Sequence, residues 1–167
     1  MSALEPPAVA ESWWRRRIVG PIVQQLRQGT TPRLIAITLA AGVVFGLFPI
    51  FGATTMLCGV VGVAFRLNQP LIQTVNYLLS PVHVLMLLPF YRAGETLFGQ
   101  EHVPIASLAA LTERFWASPP QFAIDYGMVA LYGITVWLLV SPLLFVLVYA
   151  LVRRPVLVLA SVRRSHP

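Results

Sequence analysis

The chain has 167 residues, of which 57% are hydrophobic and only 11% are charged. Its mean hydropathy of +0.74 is far above that of soluble domains, so the composition is typical of an integral membrane protein. The net charge is +6 and all 12 basic residues are arginines. These arginines mostly flank apolar segments and do not form the basic face of a soluble fold, so nucleic-acid binding is not expected.

An N-terminal segment of residues 1–33 precedes the first long apolar run. Within it, Trp13 and Trp14 stand directly before a run of three arginines. Aromatic rings beside arginines favour the headgroup layer of a membrane, especially one that contains anionic lipid. We interpret the segment as an interfacial helix or as an ordinary cytoplasmic flank, and the sequence leaves both interpretations open.

Residues 34–65 contain no charge and are too long for one membrane helix. A single helix of this length would measure about 48 Å, against a hydrocarbon core of ~30 Å. Gly46, Pro49 and Gly52 lie near the middle of the run, in the sequence GLFPIFGATT, and predict a break there. Each half is short for a crossing, which favours a re-entrant hairpin whose loop is covered by protein or lines a wet cavity. A plain proline kink in a tilted helix is the alternative.

A second uncharged run, residues 69–91, is long enough to span the membrane. Ser80 and Pro81 near its middle predict a second broken element. Asn76 and His83 are seven residues apart and lie on one helical face if no break intervenes. Neutral His83 is then a candidate proton relay, or it makes an interhelical hydrogen bond.

The rest of the chain predicts a polar connection and one more helix. Between residues 92 and 125 acids outnumber bases four to two, so the connection of residues 100–125 is placed outside the cytoplasm. Residues 126–152 form the cleanest transmembrane helix, and residues 153–167 form a basic tail. Both termini are therefore predicted to be cytoplasmic. A re-entrant hairpin followed by two spans satisfies this prediction, and so do four thinner crossings; we prefer the first.

Further candidate residues flank the two apolar runs. Thr54 and Thr55 start the second half-helix, where a threonine can cap free N–H groups and the positive helix end can meet an anion. Arg66 follows this half-helix and is either a snorkelling anchor or a ligand for phosphate headgroups. Arg92 and Glu95 are spaced i, i+3 and can pair, either as a functional pair near the membrane or as a solvated ion pair.

Three segments, FPIFGATT, FRLNQP and NYLLSPVHVLMLLPFYRAGETLFG, resemble a bacterial membrane family, the domain of unknown function DUF2062. The resemblance covers a membrane core of residues 34–99 and leaves the last helix and both ends outside. The motifs of the family fit, in order, Pro49 and Gly52, then Arg66, Asn68 and Pro70, then Tyr91, Arg92 and Gly94. The segment SPVH at residues 80–83 departs from the commoner Asn-Pro-x-Thr form.

This family is in turn similar to the DedA superfamily, and that similarity implies two re-entrant loops that face each other from opposite sides of the membrane. It implies that the segment around Ser80 and Pro81 is the partner of the first loop. Members of the superfamily are linked to proton-coupled transport and to the movement of lipids, including lipid-linked carriers, between leaflets. The resemblance therefore implies a bacterial inner membrane location, with anionic lipid or lipid-linked phosphate as partners.

Two functions fit these observations. One is a small transporter or lipid-translocating protein, which we expect to be a homo-oligomer because one chain has too few spans to enclose a pathway. The other is a scaffold that recruits partners or anionic lipid through its basic ends. Catalytic, metal-ligand and phosphate-loop motifs do not occur in the sequence, so neither an enzyme nor a cofactor is expected. The expected fold is an all-α, polytopic membrane protein with broken, re-entrant helices and a C-terminal transmembrane helix.

Overall fold

The chain folds as α-helices in the computed structural model, which describes residues 30–50, 52–101 and 116–164, together with Gly20, Gln24 and Glu113. The long helices are α1 (Pro32–Gly46), α2 (Ala53–Ala64), α3 (Gln69–Leu97) and α4 (Pro119–Arg164). The described residues contain no strand, so the predicted all-α class is confirmed. The predicted interfacial segment around Trp13 and Trp14 lies outside the described residues.

α1 is the centre of the fold and contacts all three other helices. Thr31 caps its start by accepting a hydrogen bond from the Leu34 N–H at 3.3 Å. Pro32 occupies the first turn, where its missing N–H costs nothing. Gly42 permits a close approach of α3, because a Cβ at this position would lie 2.9 Å from the Val75 Cβ. Most of α1 is consequently buried.

Residues 47–52 separate α1 from α2, so the predicted break at Pro49 and Gly52 is confirmed. Gly52 is the N-cap of α2 and has a φ of +83°, a left-handed conformation that glycine adopts without steric cost. The predicted capping by Thr54 or Thr55 is wrong, because the backbone of Gly52 makes the turn and the Thr55 hydroxyl accepts a hydrogen bond from Asn76.

The sequence FRLNQP forms the turn between α2 and α3 and the first residues of α3. Arg66 has a φ of +52°, which is uncommon for a residue other than glycine. Asn68 caps α3 through its side chain, which accepts a hydrogen bond from the Leu71 N–H at 3.0 Å, and Pro70 lies in the first turn. The Asn68 N–H donates to the Thr38 hydroxyl at 3.3 Å and so fastens the turn to α1.

α3 runs without interruption through Pro81 and Pro89, so the predicted second break at Ser80 and Pro81 is wrong. A proline removes one intrahelical hydrogen bond, and a membrane helix tolerates this loss where neighbouring helices support it. α3 has such support, since it packs against each of the other three helices. Ser80 and Pro81 are exposed, so this segment is not a second loop packed against the first.

α4 extends beyond the predicted residues 126–152 at both ends and continues through Pro142 and Pro155. Its 46 residues correspond to about 69 Å, and the 29 residues of α3 to about 44 Å. Both helices are long and apolar enough to cross a membrane, by length and composition, whereas α1 and α2 are shorter. The fold is thus all-α in the described residues, with one broken helical hairpin and two helices of membrane-spanning length and composition.

Candidate functional site at the broken helix

The break between α1 and α2 leaves peptide groups without the hydrogen bonds that a continuous helix would give them. Within residues 47–52 the Phe48 N–H donates to the Phe45 carbonyl at 3.3 Å, and the Ile50 N–H donates to the Phe48 carbonyl at 2.8 Å. Pro49 at the centre of the break is fully buried. Because a carbonyl without a partner in an apolar environment costs several kcal/mol, the remaining acceptors of the break need donors from elsewhere.

Three side chains of the two long helices donate to carbonyls in and beside the break. The Val44 and Phe48 carbonyls also accept from the Leu47 and Ile50 N–H groups, so the Pro49 carbonyl depends most on its side-chain donor. Trp137 Nε1 of α4 donates to the Val44 carbonyl at 3.0 Å. His83 Nε2 of α3 lies 2.9 Å from the Phe48 carbonyl, and the Tyr91 hydroxyl of α3 donates to the Pro49 carbonyl at 2.9 Å. A carbonyl can only accept, so the His83 ring donates through Nε2. We call Trp137, His83 and Tyr91 the carbonyl clamp.

Close packing positions the clamp. The Trp137 ring contacts Phe48 edge to face, with centroids 5.0 Å apart. Tyr91 lies against Gly133 of α4, where a Cβ would meet the tyrosine Cδ1 at 2.7 Å. The break is therefore held from both long helices, and its backbone cannot move without displacing aromatic side chains.

A row of polar side chains on α3 faces α2. Gln69 Nε2 donates to the Gly59 carbonyl at 2.9 Å, and Gln73 Nε2 donates to the Thr55 carbonyl at 3.0 Å. Asn76 Nδ2 donates to the Thr55 hydroxyl at 3.1 Å, and Asn76 is only 2% exposed. We call Gln69, Gln73, Asn76 and His83 the polar row. Gln69, Gln73 and Asn76 tether α2, and His83 binds the break. The part of α3 that carries the row has no charged residue.

An ion pair lies near the end of α3, close to its crossing with α4. Arg92 Nη1 contacts Glu95 Oε2 at 2.8 Å, which confirms the predicted pairing. The Glu95 side chain is fully buried and the Arg92 side chain is 32% exposed, so the pair is not an ordinary solvated one. Beside it, a Cβ at Gly94 would lie 2.5 Å from the Tyr132 carbonyl carbon, so the two helices touch at backbone distance.

The structure separates the residues that the sequence predicted as one loop region. It brings Pro49, Thr55, Asn76 and His83 to the interface between the hairpin and α3. Thr54 is buried at the start of α2. Four other candidates lie apart from this contact. They are Gly52, Ser80 and Pro81, which are exposed, and Arg66, which is exposed at the far end of α2.

Sequence reasoning missed several residues of the site, among them Gln69, Gln73 and Trp137. A signal for part of it was present, because Gln69, Gln73, Asn76, Ser80 and His83 follow one another at spacings of four, three, four and three, which places them on one helical face. Trp137 gave no such signal, since its role depends on where α4 crosses α1. Among the described residues, no three His, Cys, Asp or Glu side chains group together to hold a metal ion.

Fold and site together define a class: an all-helical protein whose broken apolar hairpin is held by polar and aromatic side chains of two helices that are long and apolar enough to cross a membrane. The chain belongs to DUF2062, a family described as an uncharacterized protein conserved in bacteria, whose profile matches residues 16–165. The match is wider than the motif-based core of residues 34–99 and includes α4. Neither a curated protein nor a solved structure matches the chain.

Proposed function

We propose that this protein moves a lipid or a small polar solute across the bacterial cytoplasmic membrane, with α1 and α2 forming a re-entrant hairpin. The supporting observation is the polar row beside a broken helix, in which Asn76 and His83 are buried and Gln69 and Gln73 are partly buried. Polar side chains inside apolar spans are costly and mark substrate or ion pathways in membrane proteins. Broken helices near the midplane form the binding sites of many transporters. We propose no catalytic role.

The proposed topology has the hairpin followed by two crossings, with both termini in the cytoplasm. The Thr38–Asn68 contact ties the end of the hairpin to α1, which supports a hairpin that returns to the side from which it starts. Arg33, Arg66 and Arg153 then lie at the ends of apolar segments on one side. Arginines at cytoplasmic boundaries follow the positive-inside rule.

We further propose that the pathway forms between copies of the chain. Four helices are too few to enclose a polar route, and two-fold dimers are the commonest closed assembly. The outer face of α2 is available for this contact, because Met56 is 76% exposed and Val63 is 72% exposed. A purely monomeric mass in lipid nanodiscs would contradict this part of the proposal.

A flux assay in proteoliposomes tests the function. The purified protein is reconstituted with fluorescent anionic lipid, zwitterionic lipid, a lipid-linked phosphate or a proton gradient in turn, and transfer across the bilayer is measured. We expect transfer of at least one of these substrates, lowered about tenfold in Asn76→Leu because it removes a polar group from the row. Thr74→Val is the matched control, since the Thr74 hydroxyl bonds only the Pro70 carbonyl of its own helix.

Two outcomes would reject the proposal. One is the absence of transfer for every substrate from a folded, reconstituted protein. The other is equal transfer by the wild type, Asn76→Leu and Gln73→Leu, which would show that the polar row only stabilises the fold. A cellular phenotype that requires the arginine-rich ends but not the polar row would favour the scaffold instead.

A further inference from the structure

Two arginines from different helices converge on one cavity at the start of α1. The cavity has a volume of about 320 Å³ and is lined by Pro32, Arg33, Tyr149, Arg153 and Leu157. The only ion pair among the described residues joins Arg92 to Glu95, so neither of these arginines has a described carboxylate as partner. Like charges around one cavity repel each other, and an anion between them removes that repulsion.

A second, apolar cavity lies farther along α1 and α4, where α2 and the turn after it supply a third wall. It has a volume of about 310 Å³, and its lining includes Ile37, Phe65 and Phe145. Ser141 is the polar residue of this lining, and its hydroxyl donates to the Leu138 carbonyl at 3.2 Å, so the wall offers little to a polar ligand.

The two cavities are neighbours on both helices. On α1, Arg33 lines the first cavity, and Ile37, one turn later, lines the second. On α4, Tyr149 lines the first and Phe145 the second, and their rings are stacked with centroids 6.4 Å apart and an interplanar angle of 3°. The lining therefore changes from charged to apolar over four residues of each helix, a rise of ~6 Å.

The positions of the two arginines along their helices fit the boundary between the headgroups and the hydrocarbon core of a membrane. Arg153 directly follows the long apolar part of α4, and Arg33 directly precedes the uncharged part of α1. Arginines at such positions lie at the level of lipid headgroups, with their guanidinium groups in the polar layer. Arginine is also the side chain best suited to phosphate, because its planar donors can bind two oxygens at once.

We propose that the groove between α1 and α4 binds one anionic phospholipid, with the phosphate between Arg33 and Arg153 and an acyl chain in the apolar cavity beside Phe145. The charge at one end and the apolar wall at the other match the two halves of that molecule. This binding site is separate from the polar row, and it can be occupied whether or not the protein transfers lipid.

Titration of the purified full-length protein in uncharged detergent with fluorescent phosphatidylglycerol tests the site. We expect saturable binding that weakens about tenfold or more in Arg33→Gln/Arg153→Gln, because each guanidinium loses charge-assisted hydrogen bonds. Arg154→Gln is the matched control, since Arg154 is exposed, adjacent in sequence and outside the lining. It removes one charge, and it should leave the affinity within about twofold.

A second variant tests the acyl chain. Ile37→Trp fills the apolar cavity and should weaken binding of phosphatidylglycerol while both arginines remain. Glycerol phosphate, which has the phosphate but no chain, should compete only weakly. A loss of binding per charge removed that is as large in Arg154→Gln as in Arg33→Gln/Arg153→Gln would show attraction by net charge alone and would overturn the proposal. Glycerol phosphate that binds as tightly as the lipid, or unchanged lipid affinity in Ile37→Trp, would also overturn it.

Discussion

Tyr91 donates its hydroxyl hydrogen to the carbonyl of Pro49 at 2.9 Å, across 42 residues of sequence. The contact joins the third motif of the family resemblance to the first. It gives a physical reason for both residues, because Pro49 creates a buried break whose carbonyl needs a donor and Tyr91 supplies that donor.

Tyr91→Phe tests this contact. It removes only the hydroxyl and leaves the Pro49 carbonyl without this donor, so we expect the free energy of unfolding to fall by about 1–3 kcal/mol. Denaturation by sodium dodecyl sulfate in mixed micelles measures the change. Tyr77→Phe is the control on the same helix, because Tyr77 is 61% exposed and should change stability little. Equal losses of stability in Tyr91→Phe and Tyr77→Phe would show that the Tyr91 hydroxyl does not stabilise the break.

Substitutions at Gly52 test whether its backbone or its lack of a side chain is required. No described atom lies within 4 Å of a Cβ placed there, so close approach to another segment is not the reason for glycine. The φ of +83° is the reason. We expect Gly52→Ala and Gly52→Leu to cost about the same, roughly 1–2 kcal/mol, and Gly52→Asn to cost less. A much larger cost for leucine than for alanine in the same denaturation assay would show a steric role.

Substitution by alanine should have opposite effects on stability at Gly94 and at Gly127. Gly94→Ala places a Cβ 2.5 Å from the Tyr132 carbonyl carbon, so α3 and α4 must separate and stability should fall by about 1–3 kcal/mol. Gly127→Ala meets no described atom within 4 Å and should be neutral or stabilising by up to about 1 kcal/mol. Thermal unfolding followed by circular dichroism compares the two variants. Similar losses for both would contradict the close crossing of the helices.

The ion pair predicts an asymmetry between its two partners. Arg92→Leu leaves a fully buried Glu95 without this counter-charge, whereas Glu95→Leu leaves an arginine that is 32% exposed and can reach water. We therefore expect Arg92→Leu to be the more destabilising, by about 3 kcal/mol, with the double variant less destabilised than Arg92→Leu. A double-mutant cycle in mixed micelles measures these values. Additive losses would show that the two side chains act independently.

Accessibility of single cysteines tests the proposed topology. Cys58 is the one cysteine of the chain and is fully buried, so a membrane-impermeant thiol reagent should not label the wild type in whole cells. Ser118→Cys, at an exposed position before α4, should be labelled from outside. A cysteine at Ser161, toward the end of α4, should be labelled only after the membrane is opened. The reverse pattern would invert the topology.

The sequence by itself determined the class of the fold and the position of the break. An uncharged run longer than a bilayer cannot remain one straight helix, and Gly46, Pro49 and Gly52 lower the cost of interrupting it at one place. The pairing of Arg92 with Glu95 was also readable, because it depends only on helical spacing. These features are local, so they do not require knowledge of how the helices pack.

Only the tertiary structure decided which helices break and which side chains support the break. Pro81 and Pro49 are the same residue type in similarly apolar runs, yet α3 continues through Pro81 and the chain turns at Pro49. Whether a proline interrupts a membrane helix depends on whether neighbouring groups satisfy the freed carbonyls in the bent or in the straight form. At Pro49 those groups are Tyr91, His83 and Trp137, which approach from 35 to 93 residues away in the chain. Which side chains become partners depends on where the helices cross. A local pattern in the sequence does not predict those crossings.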